Sequence, residues 1–159
     1  MPTEPNPDFM RRAIQLANEN ARSGAGGPFA AVIVKDGQII GEGANSVTSS
    51  NDPTAHGEIN AIRDACRRLN TFSLKGCEIY SSCEPCPMCL AAIYWARMET
   101  IYYGNNCEDA ARAGFDDSFL YREFHNHREA RTLPARQMLP GEAWESFQVW
   151  IDNPDKVEY

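Results

Sequence analysis

The stretch EIYSSCEPCPMCLAAIYWA, residues 78–96, decides how the chain is read. Its first part, Glu78-Ile79-Tyr80-Ser81-Ser82, predicts a short strand. The second part predicts a helix from Cys86 to Ala96, with Pro85 placed to open it, because a missing N–H costs nothing in a first helical turn. A strand running into a helix at this point puts Cys86 and Cys89 in the first turn, on one face. Thiolates there sit at the positive end of the helix dipole, which lowers thiol pKa and favours metal binding. Cys83 still belongs to the incoming strand and reads as a small buried hydrophobe or a wall of the site.

Upstream, His56-Gly57-Glu58 supplies an imidazole and a carboxylate. Zinc in a catalytic site takes three protein ligands and keeps its fourth position for water, and Cys₂His is one such set. His56, Cys86 and Cys89 are that set here. Glu58 lies two residues from His56, so on a helix it points away from the ligand direction while flanking the same cavity. A base placed there can take a proton from water at the metal. Each half of the pattern is weak by itself. His-x-Glu is common by chance, and one C-x-x-C at a strand–helix junction reads equally as a redox pair or half of a four-cysteine structural zinc site. Cys66, Cys77 and Cys107 form no second C-x-x-C. In this combination and order, His-x-Glu and Pro-Cys-x-x-Cys form the signature of the zinc nucleobase deaminases.

At 159 residues the chain suits a single domain able to bury a sizeable core without disulfides. Six cysteines, three of them clustered at the metal motif, fit a reducing cytoplasm. The start of the chain has no signal-peptide pattern, and no apolar run is long enough to span a bilayer. A formal charge of −7 argues against a surface that tracks phosphate backbones. The richest basic stretch, Tyr121 to Arg136, is interrupted by Glu123 and Glu129. His125-Asn126-His127 spells a nuclease motif by letters alone, and an exposed polar loop explains it as well.

Working outward, Asp8 is placed to cap a first helix with Phe9, Ile14, Leu16 and Ala17 on its apolar face, ending near Ser23-Gly24. Phe29 to Val34 and Gln38 to Ala44 predict strands joined by Asp36-Gly37, a strong hairpin signal. Thr54 predicts the N-cap of a second helix running to about Leu69, with His56 and Glu58 in its first turns. Thr100 to Gly104 predicts a strand and Gly114 to Phe119 a loop or short helix. Ala135 to Leu139 predicts a fifth strand, followed by a helix from Glu142 to Ile151 that Asn153-Pro154 ends. A hairpin followed by alternating helices and strands predicts one sheet covered on both faces by helices.

With these motifs in place, the sequence resembles the cytidine deaminase-like superfamily, and within it the small bacterial guanine deaminases. The likeness is carried by both metal motifs, by Gly26-Gly27-Pro28-Phe29, Asn51-Asp52-Pro53-Thr54-Ala55 and Ala92-Ile93-Tyr94-Trp95-Ala96-Arg97, and more specifically by Gly114-Phe115-Asp116-Asp117-Ser118 and the terminal Glu158-Tyr159. It implies a three-layer α/β/α sandwich around a mixed five-stranded sheet, formed by residues 1–159 as one domain, with residues 141–159 exchanged between the subunits of a homodimer. It also implies one Zn²⁺ per subunit on His56, Cys86 and Cys89, Glu58 as proton shuttle, and hydrolysis of guanine to xanthine and ammonia. Asn45 and Ala55 match residues at the bound base, and Phe29 and Trp95 match pocket walls. Asp117 matches a carboxylate toward the 2-amino group, and Tyr159 a residue that closes the partner's site. Gly57 departs from the family, which usually has alanine between the histidine and the glutamate. Glycine there costs about 1 kcal/mol of helix stability and frees the backbone beside Glu58.

The zinc motifs are shared with tRNA adenosine deaminases, and they leave open a cytosine-like base, a purine nucleoside or a triazine as substrate. A binding module held together by zinc is the non-enzymatic alternative, which the free carboxylate of Glu58 argues against.

Overall fold

The computed structural model describes residues 4–159. The chain divides by its internal contacts into two units, the first ending at Ser118 and the second spanning Phe119–Tyr159.

The first unit is built on a four-stranded mixed sheet in the order β2-β1-β3-β4, where β1 is Ala30–Lys35, β2 Gln38–Ala44, β3 Cys77–Cys83 and β4 Thr100–Asn105. The β1–β2 hairpin turns at Asp36 (φ 50°) and Gly37 (φ 73°), and two successive left-handed residues match the twist of the strands they join. β1 pairs antiparallel with both β2 and β3, whereas β3 and β4 are parallel. That last pair is bridged by α4 (Pro87–Trp95), as parallel strands require a crossover.

Helices cover both faces. α1 (Pro7–Ser23) lays Ala13 against Val32, Val34 and Tyr80, with Phe9, Met10 and Leu16 around them. On the other face, Ala61 and Ala65 of α3 (Gly57–Leu69) and Ile93 and Ala96 at the end of α4 meet Ala31, Ile33 and Ile79. α2 (Val47–Ser50) is a single turn that the sequence pattern did not suggest. Strand alternation sorts these two sets to opposite faces. α3 lies unusually close to β2, because a Cβ on Gly43 would overlap the Ala61 amide nitrogen and the Gly57 carbonyl oxygen. That close approach fixes the height at which α3 starts.

The pairing register brings the functional segments to one rim. Ala30 faces Ala44, Ala31 faces Ser81, and Cys83 faces Asn105. Phe29, Asn45, Cys83 and the chain following β4 therefore all leave the sheet at the same end.

Several expectations shift. α1 is capped by Asn6, whose side-chain oxygen accepts from the Asp8 amide, and Pro7 takes the first helical position. Ile14, expected on the buried face, is 41% exposed, because the buried stripe runs through Ala13 and Ala17. α3 starts at Gly57 with His56 as its N-cap, while Thr54 is drawn into a turn in which its amide and hydroxyl both donate to Asp52 Oδ1. Pro87, not Pro85, occupies the first turn of α4. A residue before proline is pushed out of the helical region, so Cys86 is extended (φ −63°, ψ 167°) and no helix can run from Pro85 through it.

The expected fifth strand is absent: the sheet has four strands, and residues 135–139 are irregular. Ala135-Arg136-Gln137-Met138-Leu139 contains no β-branched or aromatic side chain, Met138 is 79% exposed, and Leu139 takes φ 50° to start the following helix. An added helix, α5 (Cys107–Arg112), follows β4.

The second unit holds α6 (Ser118–His125, whose first residue ends the first unit), a 3₁₀ turn at Arg128–Ala130 and α7 (Pro140–Asp152). Arg131 Nε donates to the Glu123 carbonyl, and Glu123 Oε2 accepts from the Thr132 amide and hydroxyl. None of its residues is buried, and Trp144, Phe147, Val149, Trp150 and Ile151 of α7 are all exposed. His125 and His127 belong to no metal-ligating group among the described residues. No helix of the described chain is long and apolar enough to cross a membrane.

Candidate active site

Two helix N-termini meet at the rim. His56 caps α3 and Cys86 caps α4, and neither spends its side chain on a capping hydrogen bond. Their carbonyls do the work of starting each helix instead, accepting from the Asn60 and Leu90 amides at 2.9 and 2.8 Å. Both side chains are thus left for a ligand, and both helix dipoles favour negative charge between them.

His56 Nδ1 lies 3.6 Å from Cys86 Sγ and 3.5 Å from Cys89 Sγ. The three candidate ligand atoms all fall within 4.8 Å of one another and could together hold a metal ion. Ordinary Zn–S and Zn–N bond lengths at a tetrahedral centre set a nitrogen–sulfur edge of about 3.6 Å, so the donor set and its spacing fit zinc. Without metal the group shares its protons. The Cys86 thiol falls to about 4, chiefly because Cys89 donates to it and also because His56 does. Cys89, the donor, is held protonated by that bond and by burial. His56 is raised, mainly by its bond to Cys86.

Cys83 is buried and pushed up to about 11, first by burial and then by the charges of Glu58 and Asp117. It is a buried, neutral thiol, one of the two readings that its place at the end of β3 allowed.

Glu58 sits one residue into α3 and is 6% exposed. Ser81 Oγ, from the middle of the sheet, donates to Glu58 Oε1 at 2.9 Å. Burial raises the carboxyl, and the bonds from Ser81 and Cys89 partly offset this. A carboxyl held high and fixed on one oxygen is suited to taking and returning a proton. Ser81 is a partner of Glu58 that the sequence did not disclose, since the two lie 23 positions apart.

Asn45 is buried just past β2. Its Oδ1 accepts from the Gly27 and Val47 amides, and Asn20 donates to both the Gly27 and Asn45 carbonyls. With its oxygen committed, Asn45 has its amide nitrogen left as a donor. Ala55 is buried immediately before His56, its amide donating to the Asp52 carbonyl. The Phe29 ring meets Phe115 edge-on at 4.8 Å, which ties the loop after α5 to the start of β1. Asp117 follows in that loop, its carboxyl raised by burial and by the charge of Cys86.

One expected residue stands apart from this group, and another lies in the second unit. Trp95 ends α4, about 9 Å along the helix axis from Cys89, and is exposed with Arg97 over its ring. Tyr159 belongs to the second unit and is exposed.

The Gly57 departure has a physical reason. A Cβ there would stand 2.8 Å from Ala30 Cα and 3.1 Å from the Phe29 carbonyl oxygen, both backbone atoms that cannot swing aside. Helix propensity alone would make Gly57→Ala stabilising by about 1 kcal/mol, but overpacking against backbone costs about 1–3 kcal/mol. We expect the clash to win. Gly57→Ala should lower the melting temperature and, by lifting His56 and Glu58 off the rim, lower kcat. A melting temperature above wild type would show that propensity decides.

Residues 3–105 match the family model for the cytidine and deoxycytidylate deaminase zinc-binding region. The chain belongs to that deaminase family. Within it, the chain is 54% identical over 151 residues to the guanine deaminase of Bacillus subtilis (strain 168), covering 95% of this chain and 97% of that protein. The crystal structure of guanine deaminase from Bacillus subtilis superposes with a TM-score of 0.94 at 52% identity, over 98% of this chain and 99% of the other. A tRNA-specific adenosine deaminase from Aquifex aeolicus is 45% identical over 95 residues, covering 60% of this chain and 62% of its own length.

Proposed function

We infer that the chain catalyses the zinc-dependent hydrolysis of guanine to xanthine and ammonia. Likeness to a guanine deaminase over 95% of the chain carries the choice of base. By contrast, the tRNA-specific adenosine deaminase of Aquifex aeolicus is 45% identical over 60% of this chain, and that of Buchnera aphidicola 39% identical over 79%.

In this reading His56, Cys86 and Cys89 hold one zinc per subunit. When bound, the metal supplies the Lewis acidity that makes water a nucleophile near neutral pH. Glu58 takes the proton from that water on Oε2, the oxygen Ser81 leaves free. As the C2–O bond forms, Glu58 returns that proton to the ring nitrogen, and it then carries the second proton of the water, left on the new C2–OH, to the 2-amino group as the C2–N bond breaks, the C2 carbonyl forms and ammonia leaves. Asn45 donates its side-chain amide to the base, Phe29 walls the ring, and Ala55 lies beneath it. Asp117 accepts from the 2-amino group and so selects a substrate that carries a donor there.

Asp117→Asn tests the selectivity. It sets an amide donor against an amino donor, so kcat/KM for guanine should fall about a hundredfold with zinc content unchanged. Unchanged discrimination between guanine and adenine would remove Asp117 from the recognition.

We also propose that the chain works as a homodimer in the reducing cytoplasm, with residues 141–159 exchanged between subunits and Tyr159, together with Trp95, at the outer edge of the assembled site. The unburied apolar face of α7 supports an assembly that covers it, and six free thiols suit a reducing compartment. Deleting residues 154–159 should weaken both dimer and activity. A deletion variant that kept both by sedimentation and turnover would defeat the exchanged-tail reading.

A further inference from the structure

Glu84 lies between the end of β3 and Pro85-Cys86, and nothing in the chemistry above uses it. Its backbone amide donates to the Asn105 carbonyl at 2.8 Å, at the tip of β4. Its Oε2 accepts from the Cys107 amide at 3.0 Å. Cys107 is the first residue of α5, whose own capping box is already complete: Asn106 Oδ1 accepts from the Asp109 amide and Asp109 Oδ2 from the Asn106 amide. Glu84 therefore takes an α5 donor that the box leaves over, and it does so from the loop that carries the first zinc ligand of α4.

α5 is six residues long, too short to hold itself in place. At its far end the chain turns through Gly114 (φ 94°), the Phe115 amide returns to the Ala110 carbonyl at 2.9 Å, and the Phe115 ring packs on Phe29. Asp117 comes two residues later. The segment from Cys107 to Asp117 is thus fixed at two joints, one on Glu84 and one on Phe29.

We propose that Glu84 is a positioning residue that clamps α5 to the metal loop and so sets where Asp117 stands. This rests on the reading of Asp117 as the acceptor for the guanine amino group. The clamp links the metal-holding loop and the base-selecting loop through one carboxylate.

The test uses the full-length, zinc-loaded protein. Glu84→Ala should lower kcat/KM for guanine about tenfold, the worth of one charge-assisted hydrogen bond, with zinc content and chelator resistance unchanged. Glu84→Gln, which keeps an acceptor oxygen, should restore most of that loss. Cys107→Pro removes only the donor side, at a first helical position where proline is tolerated, and should reproduce Glu84→Ala; Cys107→Ala keeps the amide and should behave as wild type. In an Asp117→Asn background, Glu84→Ala should add little. Cys107→Pro at wild-type kcat/KM, zinc loss in Glu84→Ala, or a full additive loss in the double variant would each overturn the clamp. An Asp117→Asn variant with unaltered guanine selectivity would instead overturn the role of Asp117, and matched losses in Glu84→Ala and Cys107→Pro would still support the clamp.

Discussion

Glu58→Gln should abolish guanine turnover, by at least about a thousandfold, while leaving zinc content and fold intact. The substitution is nearly isosteric, and Ser81 Oγ can donate to the glutamine oxygen as it does to Glu58 Oε1. The one property lost is the capacity to take and return a proton. Stability should not fall, because burial opposes the charged form of Glu58 and the amide has no charge to bury. Turnover, metal analysis and thermal melting on one preparation decide the matter. Residual activity above a tenth of wild type would mean that another group moves the proton, and loss of zinc would mean that Glu58 helps hold the metal.

The second large effect is expected at Cys86, where serine makes a clean substitution. Cys86 is the N-cap of α4, and serine is among the best N-caps, so Cys86→Ser should preserve the helix while removing a thiolate ligand. Zinc should drop from about one per chain to a small fraction, and turnover should fall to background. Stability should fall too. A ligand at a thousandfold excess over its dissociation constant contributes about 4 kcal/mol, which for a chain of this size lowers the melting temperature on the order of 10 °C. Stripping the wild type with a chelator should produce the same drop. If chelation left the melting temperature unchanged, the metal would not be part of the folded state, and if Cys86→Ser kept its zinc, Cys86 would not be a ligand.

Much of this site could be read from the sequence because its determinants are local. The hairpin at Asp36-Gly37 is a two-residue signal, and the structure gives both residues the left-handed conformation that signal requires. His56, Cys86 and Cys89 come together because each lies at or near a helix start, a position that capping and proline patterns mark. The errors in those starts share one cause. In both α1 and α4 the proline belongs at the first helical position and the residue before it becomes the cap, a rule that selects Asn6 over Asp8 and Pro87 over Pro85. Thr54 failed as a cap because a nearer acceptor, Asp52, claimed its amide and hydroxyl.

What sequence reading could not reach is non-local. Ser81 is an ordinary strand serine until the β1–β3 register and the height of α3 bring it under Glu58. Gly57 looked like a weak point in a helix, and only the backbone of Phe29 and Ala30 shows it as the residue that lets α3 approach β1. The fifth strand was expected at Ala135 to Leu139, just before the last helix, but that segment lacks the side chains that hold a strand in a sheet.

The most direct test of the account is product formation from guanine by the zinc-loaded protein, with adenine, guanosine, cytosine and a tRNA anticodon stem in parallel. Guanine should yield xanthine and ammonia in equal amounts, and the others neither ammonia nor a deaminated product. Ammonia from cytosine or from the tRNA stem, with guanine untouched, would contradict it.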